Sequence, residues 1–135
     1  MGKLITSRQH GILDYVGGVV LILAPWIFGF SDVDAARNVP IILGIIILLQ
    51  SLITDYELSL ADILPLRMHL ALDMLGGAVL AASPWLFGFA DEDANAWLPH
   101  LIVGIALIGA ALMTQPYRET ERSGDARETR RTSAL

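Results

Sequence analysis

Two histidines, each followed four residues later by an aspartate, are the residues of this chain best equipped for chemistry: His10 with Asp14, and His69 with Asp73. An i,i+4 spacing on a helix sets the imidazole beside the carboxylate on one face. Such a pair can pass a proton or hold an ion along a path through a membrane. Two pairs brought together can instead offer two nitrogens and two oxygens to a divalent metal such as zinc. A structural reading competes with both. A carboxylate early in a helix is favoured by the macrodipole, and an imidazole there can hydrogen-bond a neighbouring helix. A third histidine, His100, has no acid at helical spacing and corresponds to Ile41 in the other half of the chain; polarity near a membrane surface accounts for it.

The elements that must carry these residues are strongly apolar. Hydrophobic residues make up 54% of the 135 positions and charged ones 17%, with a mean hydropathy of +0.57. A soluble domain of this size has too much surface to hide so much apolar material. Charge is also segregated: residues 15–30, 39–53, 74–90 and 96–115 contain no Asp, Glu, Lys or Arg. A hydrocarbon core of roughly 30 Å takes about 20 residues of helix to cross. Four spans are therefore expected. The basic, then apolar, N-terminus has the outline of a signal peptide, but Asp14 interrupts it and the segment recurs mid-chain, so it reads as a mature span.

That recurrence organises the chain. Shifted by 59 residues, Arg8–Asp32 meets Arg67–Asp91 with 14 of 25 positions identical, among them the His–Asp pairs, Gly17-Gly18 with Gly76-Gly77, and Pro25-Trp26 with Pro84-Trp85. Beyond Pro40/Pro99 the register slips by one, so that Gly44 meets Gly104 and Thr54 meets Thr114. A period near 60 with two apolar runs per copy is a repeated helical hairpin. Wound as a helix, the identities at 10, 13, 14, 17, 18, 20, 21 and 25 fall on one arc of about 160°. Lipid accepts almost any apolar side chain, whereas a protein face constrains shape. The identical arc is therefore expected to face the bundle interior, with the glycine pairs allowing close approach of backbones. The same packing role is expected for Gly77/Ala81, Gly104/Gly109 and Ala106/Ala110, whereas the second span, with only Gly44 and Ser51 among aliphatics, is expected to face lipid or another subunit.

The pattern His-x3-Asp-x2-Gly-Gly followed by Ser83-Pro84-Trp85-Leu86-Phe87-Gly88-Phe89 resembles the SPW-repeat family of prokaryotic membrane proteins. The resemblance covers residues 8–114. The first copy has Ala24-Pro25-Trp26, so its serine is missing, and any role of the Ser83 hydroxyl belongs to one copy alone. The resemblance implies a bacterial or archaeal membrane protein with paired spans and supplies no activity.

The expected architecture is all-α, a four-helix transmembrane bundle of two tandem parallel hairpin repeats. Residues 1–54 form the first hairpin, 55–66 a cytoplasmic linker lying along the interface, 67–116 the second hairpin and 117–135 a disordered cytoplasmic tail. Lys3, Arg8, Arg67, Arg118, Arg122, Arg127, Arg130 and Arg131 flank one side, against Arg37 on the other, which places both termini in the cytoplasm of a multi-pass plasma-membrane protein. Pro25 and Pro84 should kink or end their helices, with Trp26 and Trp85 as interfacial anchors and Gly29 and Gly88 as breakers. The alternative for Ser-Pro-Trp is a gate or a turn touching a ligand.

No phosphate loop, nucleophile elbow or dinucleotide fingerprint is present, so no enzyme and no cofactor is expected. Without cysteine there are no disulfides or thiolate metal sites. A net charge of −5 with no basic stripe gives no support for nucleic acid. Partners are then the lipid bilayer and, through the packing faces, further copies or a larger membrane complex. The leading reading is a non-enzymatic bundle with a structural, accessory or assembly role, and no metal is assigned to it. The alternative is a small channel or transporter moving protons or ions with His10, Asp14, His69 and Asp73.

Overall fold

The computed structural model describes residues 4–114 and 128–134. Four helices follow in order: α1 Ser7–Ile27, α2 Asp34–Ile53, α3 Leu66–Leu86 and α4 Ala94–Met113. They pack as two hairpins, α1 on α2 and α3 on α4, and the hairpins meet mainly through α2 and α3. The four-helix all-α bundle expected from the apolar runs is the fold observed.

Local chemistry sets the helix ends. Thr6 caps α1 through its side chain on the Gln9 amide, while the Gln9 side chain returns to the Thr6 amide, a reciprocal capping box. Proline at 65 occupies the N-cap of α3 with extended backbone. Pro25 and Pro84 lie in the last turns of α1 and α3, so each helix stops just beyond its proline. The stops are alike: Gly29 and Gly88 both turn at φ +74°, and the amides of Phe30 and Phe89 reach back 2.8 Å to the carbonyls of Pro25 and Pro84. A left-handed residue followed by this six-to-one bond is a Schellman ending, which satisfies carbonyls the helix would otherwise leave open. It also swings Phe30 and Phe89 inward, where both are buried.

Small residues form the seam of each hairpin. A Cβ placed on Gly44 would stand 2.6 Å from the Gly18 carbonyl oxygen, and one on Gly104 would stand 2.5 Å from that of Gly77. Backbones this close gain dispersion contacts that lipid does not offer, which is how helices associate without a hydrophobic drive. Above the seam, Phe30, Phe89, Ala24, Ala36 and Ala96 form one apolar layer; Leu21, Ile47 and Leu80 form the next. His100 is buried in the upper layer between Phe30 and Phe89 and donates from Nε2 to the Ala36 carbonyl, 2.9 Å away. It ties α4 to the start of α2, so a bond inside the bundle accounts for it.

The inward face differs in width from the arc of identities. Ser7, His10, Gly11, Asp14, Gly18, Leu21, Ala24 and Pro25 are buried on α1, and the residues 59 positions later are the buried set on α3. Six of these on α1, Ser7, Gly11, Asp14, Gly18, Leu21 and Pro25, step by four and three alternately, the narrow seam of a coiled coil with a period of 3.5, and His10 and Ala24 flank it. Leu13, Val20, Leu72 and Val79 lie outside that seam and are exposed, although each is identical between copies. Gly17 has no neighbour within 4 Å of a Cβ built on it, and Gly109 has none either. Ala106 is exposed and Ala110 half-buried. Of each adjacent pair, only Gly18 and Gly77 sit at the helix crossing. The second helix does not simply face lipid: Gly44, Ile47, Gln50 and Ser51 are buried.

Outward, all four helices present aliphatic side chains such as Val16, Leu23, Ile46, Leu75 and Ile105. Helices α1, α2 and α4 are long and apolar enough to cross a bilayer. Helix α3 matches α1 in length and carries Arg67, His69 and Asp73 where α1 has Arg8, His10 and Asp14. Trp26 and Trp85 stand on the outside at corresponding places beyond the prolines. Of the tail expected to be disordered, residues 128–133 form a short exposed helix, closed by Thr132 bonding back to the Glu128 carbonyl. The rest of that tail, and Lys3, Arg118, Arg122 and Arg127, lie outside the described residues.

Candidate functional site

At the end of the bundle where residues 4–6, the end of α4 and the 55–65 loop gather, the two His–Asp pairs meet. Each histidine reaches the aspartate of the other hairpin as well as its own. His10 Nε2 lies 2.8 Å from Asp73 Oδ2 and 3.3 Å from Asp14 Oδ1; His69 Nε2 lies 2.9 Å from Asp14 Oδ2 and 3.0 Å from Asp73 Oδ2. The rings cross edge to face with centroids 5.5 Å apart. All four side chains are buried, His69 completely.

The far nitrogens are held in the same reciprocal way. His10 Nδ1 is 2.8 Å from Thr114 Oγ1 at the end of α4, and His69 Nδ1 is 2.7 Å from Thr54 Oγ1 at the end of α2. Each threonine hydroxyl donates to the carbonyl one turn earlier, Ala110 or Gln50, at 2.6 Å. A hydroxyl has one hydrogen, and a carbonyl only accepts. Both threonines must therefore accept from Nδ1–H, which fixes the tautomer: both Nε2 atoms point at the carboxylates.

The remaining carboxylate valences are not treated alike. The Gln50 amide donates to Asp73 Oδ1, and Ser51 donates to Asp14 Oδ2 over 3.4 Å. Their counterparts on α4 are Ala110 and Ala111, so α2 supplies the polar support alone. Tyr56 closes the end. Its ring lies over Gly11, where a Cβ would be 2.1 Å from Tyr56 Cε2, and tilts against His69 with centroids 5.9 Å apart. Its hydroxyl is buried without a protein partner, and burial pushes this phenol above its ordinary range. Ser7 bonds the Glu57 carboxylate at 2.9 and 3.0 Å, and Tyr15 bonds the Leu58 carbonyl at 2.9 Å, lashing the loop to α1. From the side, an apolar groove of about 410 Å³ between α2 and α3, flanked by Ile46, Leu75 and Val79, runs in to Gln50 and Asp73.

The other residues singled out from the sequence do not join this cluster. Pro25 and Pro84 end helices, Trp26 and Trp85 face outward, and the Ser83 hydroxyl, fully buried, bonds the Leu80 carbonyl of its own helix at 2.6 Å. Sequence reasoning missed Thr54, Thr114, Gln50, Ser51 and Tyr56. The two threonines were visible as an aligned pair, and Gln50 as the long polar side chain inside a charge-free run; neither signal tells which histidine they meet.

The SPW repeat domain model matches residues 8–114, from the first arginine of the repeat to the threonine that holds His10. The chain belongs to the SPW repeat family. No curated protein and no solved structure matches it. With apolar helices of spanning length and this membership, the SPW chain is a membrane protein whose helices contact the lipid bilayer. Among SPW residues here, the signature Ser-Pro-Trp forms a helix ending, whereas the buried polar cluster lies four turns away on the same helices.

Proposed function

We propose that this SPW protein is a non-enzymatic membrane bundle with a structural or assembly role, in which the His–Asp cluster clamps two hairpins together. The observation that carries the reading is reciprocity. Each histidine takes one aspartate and one threonine from the opposite hairpin. Polar contacts of this kind between apolar helices fix both register and partner. The layer of Leu21, Ile47 and Leu80 offers no polar step between the cluster and the buried His100 and Ser83, each of which is bonded to a backbone carbonyl. A conduction path needs such steps, so the apolar layers favour packing over transport. The charge bias supports a plasma-membrane placement in a prokaryotic cell with both termini cytoplasmic. Leu13/Leu72 and Val20/Val79, identical yet exposed, support a face for a further copy or a larger complex.

The test is a double variant, His10→Gln with His69→Gln, in detergent and in proteoliposomes. The clamp reading expects a lower melting temperature and no proton or cation flux through the parent protein. Flux through the parent that the double variant abolishes overturns it in favour of transport.

A further inference from the structure

We infer that the His–Asp cluster is a binding site for one divalent transition-metal ion of tetrahedral preference, zinc above others, with His10 Nε2, His69 Nε2 and one carboxylate oxygen each from Asp14 and Asp73 as ligands.

Three observations converge. The first is geometry. One ligand atom from each of the four residues can be chosen so that all lie within 4.8 Å of one another. The nitrogen–oxygen contacts are 2.8 and 3.0 Å from Asp73 Oδ2 to His10 and His69, 2.9 Å from Asp14 Oδ2 to His69 and 3.3 Å from Asp14 Oδ1 to His10. Ligands about 2.0–2.1 Å from a tetrahedral centre stand roughly 3.3 Å apart. The close nitrogen–oxygen contacts then open by a few tenths of an ångström to admit the ion, while any pair near the 4.8 Å limit draws in.

The second is an orphan. His69 Nε2, fully buried, is within 3.0 Å of two carboxylate oxygens yet has a hydrogen bond to neither, because neither contact has the required direction. A nitrogen aimed between two oxygens suits a centre placed among them better than it suits either oxygen.

The third is the outer support. Both Nδ1–H groups are committed to threonine hydroxyls, which leaves Nε2 as the ligating nitrogen in each ring, and Gln50 occupies the second oxygen of Asp73. Metal-ligating imidazoles are oriented by a bond at the other ring nitrogen in this way. Two neutral imidazoles, two carboxylates and a divalent cation sum to zero charge, which a low-dielectric interior tolerates. Nitrogen donors and four ligands disfavour calcium and magnesium, which take six or more oxygens. Four protein ligands leave no open position, so the site is structural and not catalytic.

The inference stands on ligand geometry and does not need the clamp reading: a metal-free protein would leave that reading intact. The full-length chain, purified in detergent and stripped with a chelator, is titrated with Co2+ and then Zn2+. Expected are one equivalent of Co2+ per chain, the intense visible bands of tetrahedral coordination, and their loss as Zn2+ displaces it. His100→Gln, a buried histidine elsewhere, should bind as the parent does. Thr54→Val should weaken binding about 10- to 100-fold by freeing the His69 ring. Absence of binding, weak octahedral bands, or unchanged affinity in a folded His69→Gln variant overturns the site. The spectrum of the parent decides the matter even if that variant fails to fold.

Discussion

Thr114 Oγ1 donates its single hydrogen to the Ala110 carbonyl 2.6 Å away and accepts the Nδ1–H of His10 at 2.8 Å. A side chain at the end of α4 thereby sets the orientation of an imidazole on α1. Thr114→Val keeps the shape and removes the acceptor, leaving a buried N–H unpaired. The expected loss is about 1–2 kcal/mol of stability in detergent. Thr114→Ser, which retains the hydroxyl, should recover most of it. Equal melting of the valine and parent proteins would show that the hydroxyl does not hold the ring.

The seam glycines separate close contact from mere smallness. A Cβ on Gly104 would meet the Ala81 amide nitrogen and the Gly77 carbonyl oxygen, each at 2.5 Å, and backbone atoms cannot step aside as a flexible side chain does. Gly104→Ala should force α3 and α4 apart at a cost of about 1–3 kcal/mol. Gly109→Ala, five residues on, meets nothing within 4 Å and should be neutral or slightly stabilising, since alanine favours helix. Thermal melts of the two variants side by side check the contrast; similar losses in both would refute the seam.

Tyr56 contributes through its ring while its hydroxyl lacks a protein partner. Tyr56→Phe keeps the ring over Gly11 and His69 and removes the orphan. At neutral pH the change should be within about 1 kcal/mol, toward greater stability. The pH dependence has a definite sign. Burial raises the phenol, so the folded chain holds its proton longer than the unfolded chain. Stability tied to this group is whole below a pH of about 10 and is lost as pH climbs from there toward the raised value. The parent should therefore weaken in alkali and the phenylalanine variant less so. Parallel alkaline melts for both would contradict this account.

Much of the fold was legible because bilayer physics is coarse: charge-free runs report spans, and a 59-residue shift with identical Gly, Pro and His reports a repeated hairpin. The meeting of His10 and Asp14 with His69 and Asp73 was legible for the same reason, since equivalent residues on two like hairpins approach a common axis. Identity alone misjudged the inward face. It included Leu13 and Val20, because two copies of one sequence share residues for more reasons than burial. The support from Thr54, Thr114 and Gln50 was hidden, since which helix end meets which ring depends on how hairpins dock, and no local pattern encodes docking. Tyr56 sits in a loop whose path follows from contacts to Glu57 and Leu58, again a tertiary matter.

The serine for which the repeat is named offers a last contrast. Ser83 is fully buried and its hydroxyl donates to the Leu80 carbonyl within its own helix, so it faces neither the His–Asp cluster nor an open surface. In the first hairpin Ala24 occupies the equivalent buried place, and α1 ends at Pro25 and Gly29 with the same geometry. The hydroxyl is thus dispensable for the turn. Ser83→Ala should change stability by no more than about 0.5 kcal/mol, because the Leu21 carbonyl of the first hairpin, which likewise faces a proline four residues on, stands beside Ala24 and has no such hydroxyl. Gly88→Ala tests the other half of the ending. Its φ of +74° lies in the left-handed region, and no atom stands within 4 Å of a Cβ built there. The cost is then conformational alone, about 1 kcal/mol. Melting curves in one detergent should rank the parent with Ser83→Ala and place Gly88→Ala below them. The opposite ranking would mean that the serine, and not the turn, holds this end of the bundle.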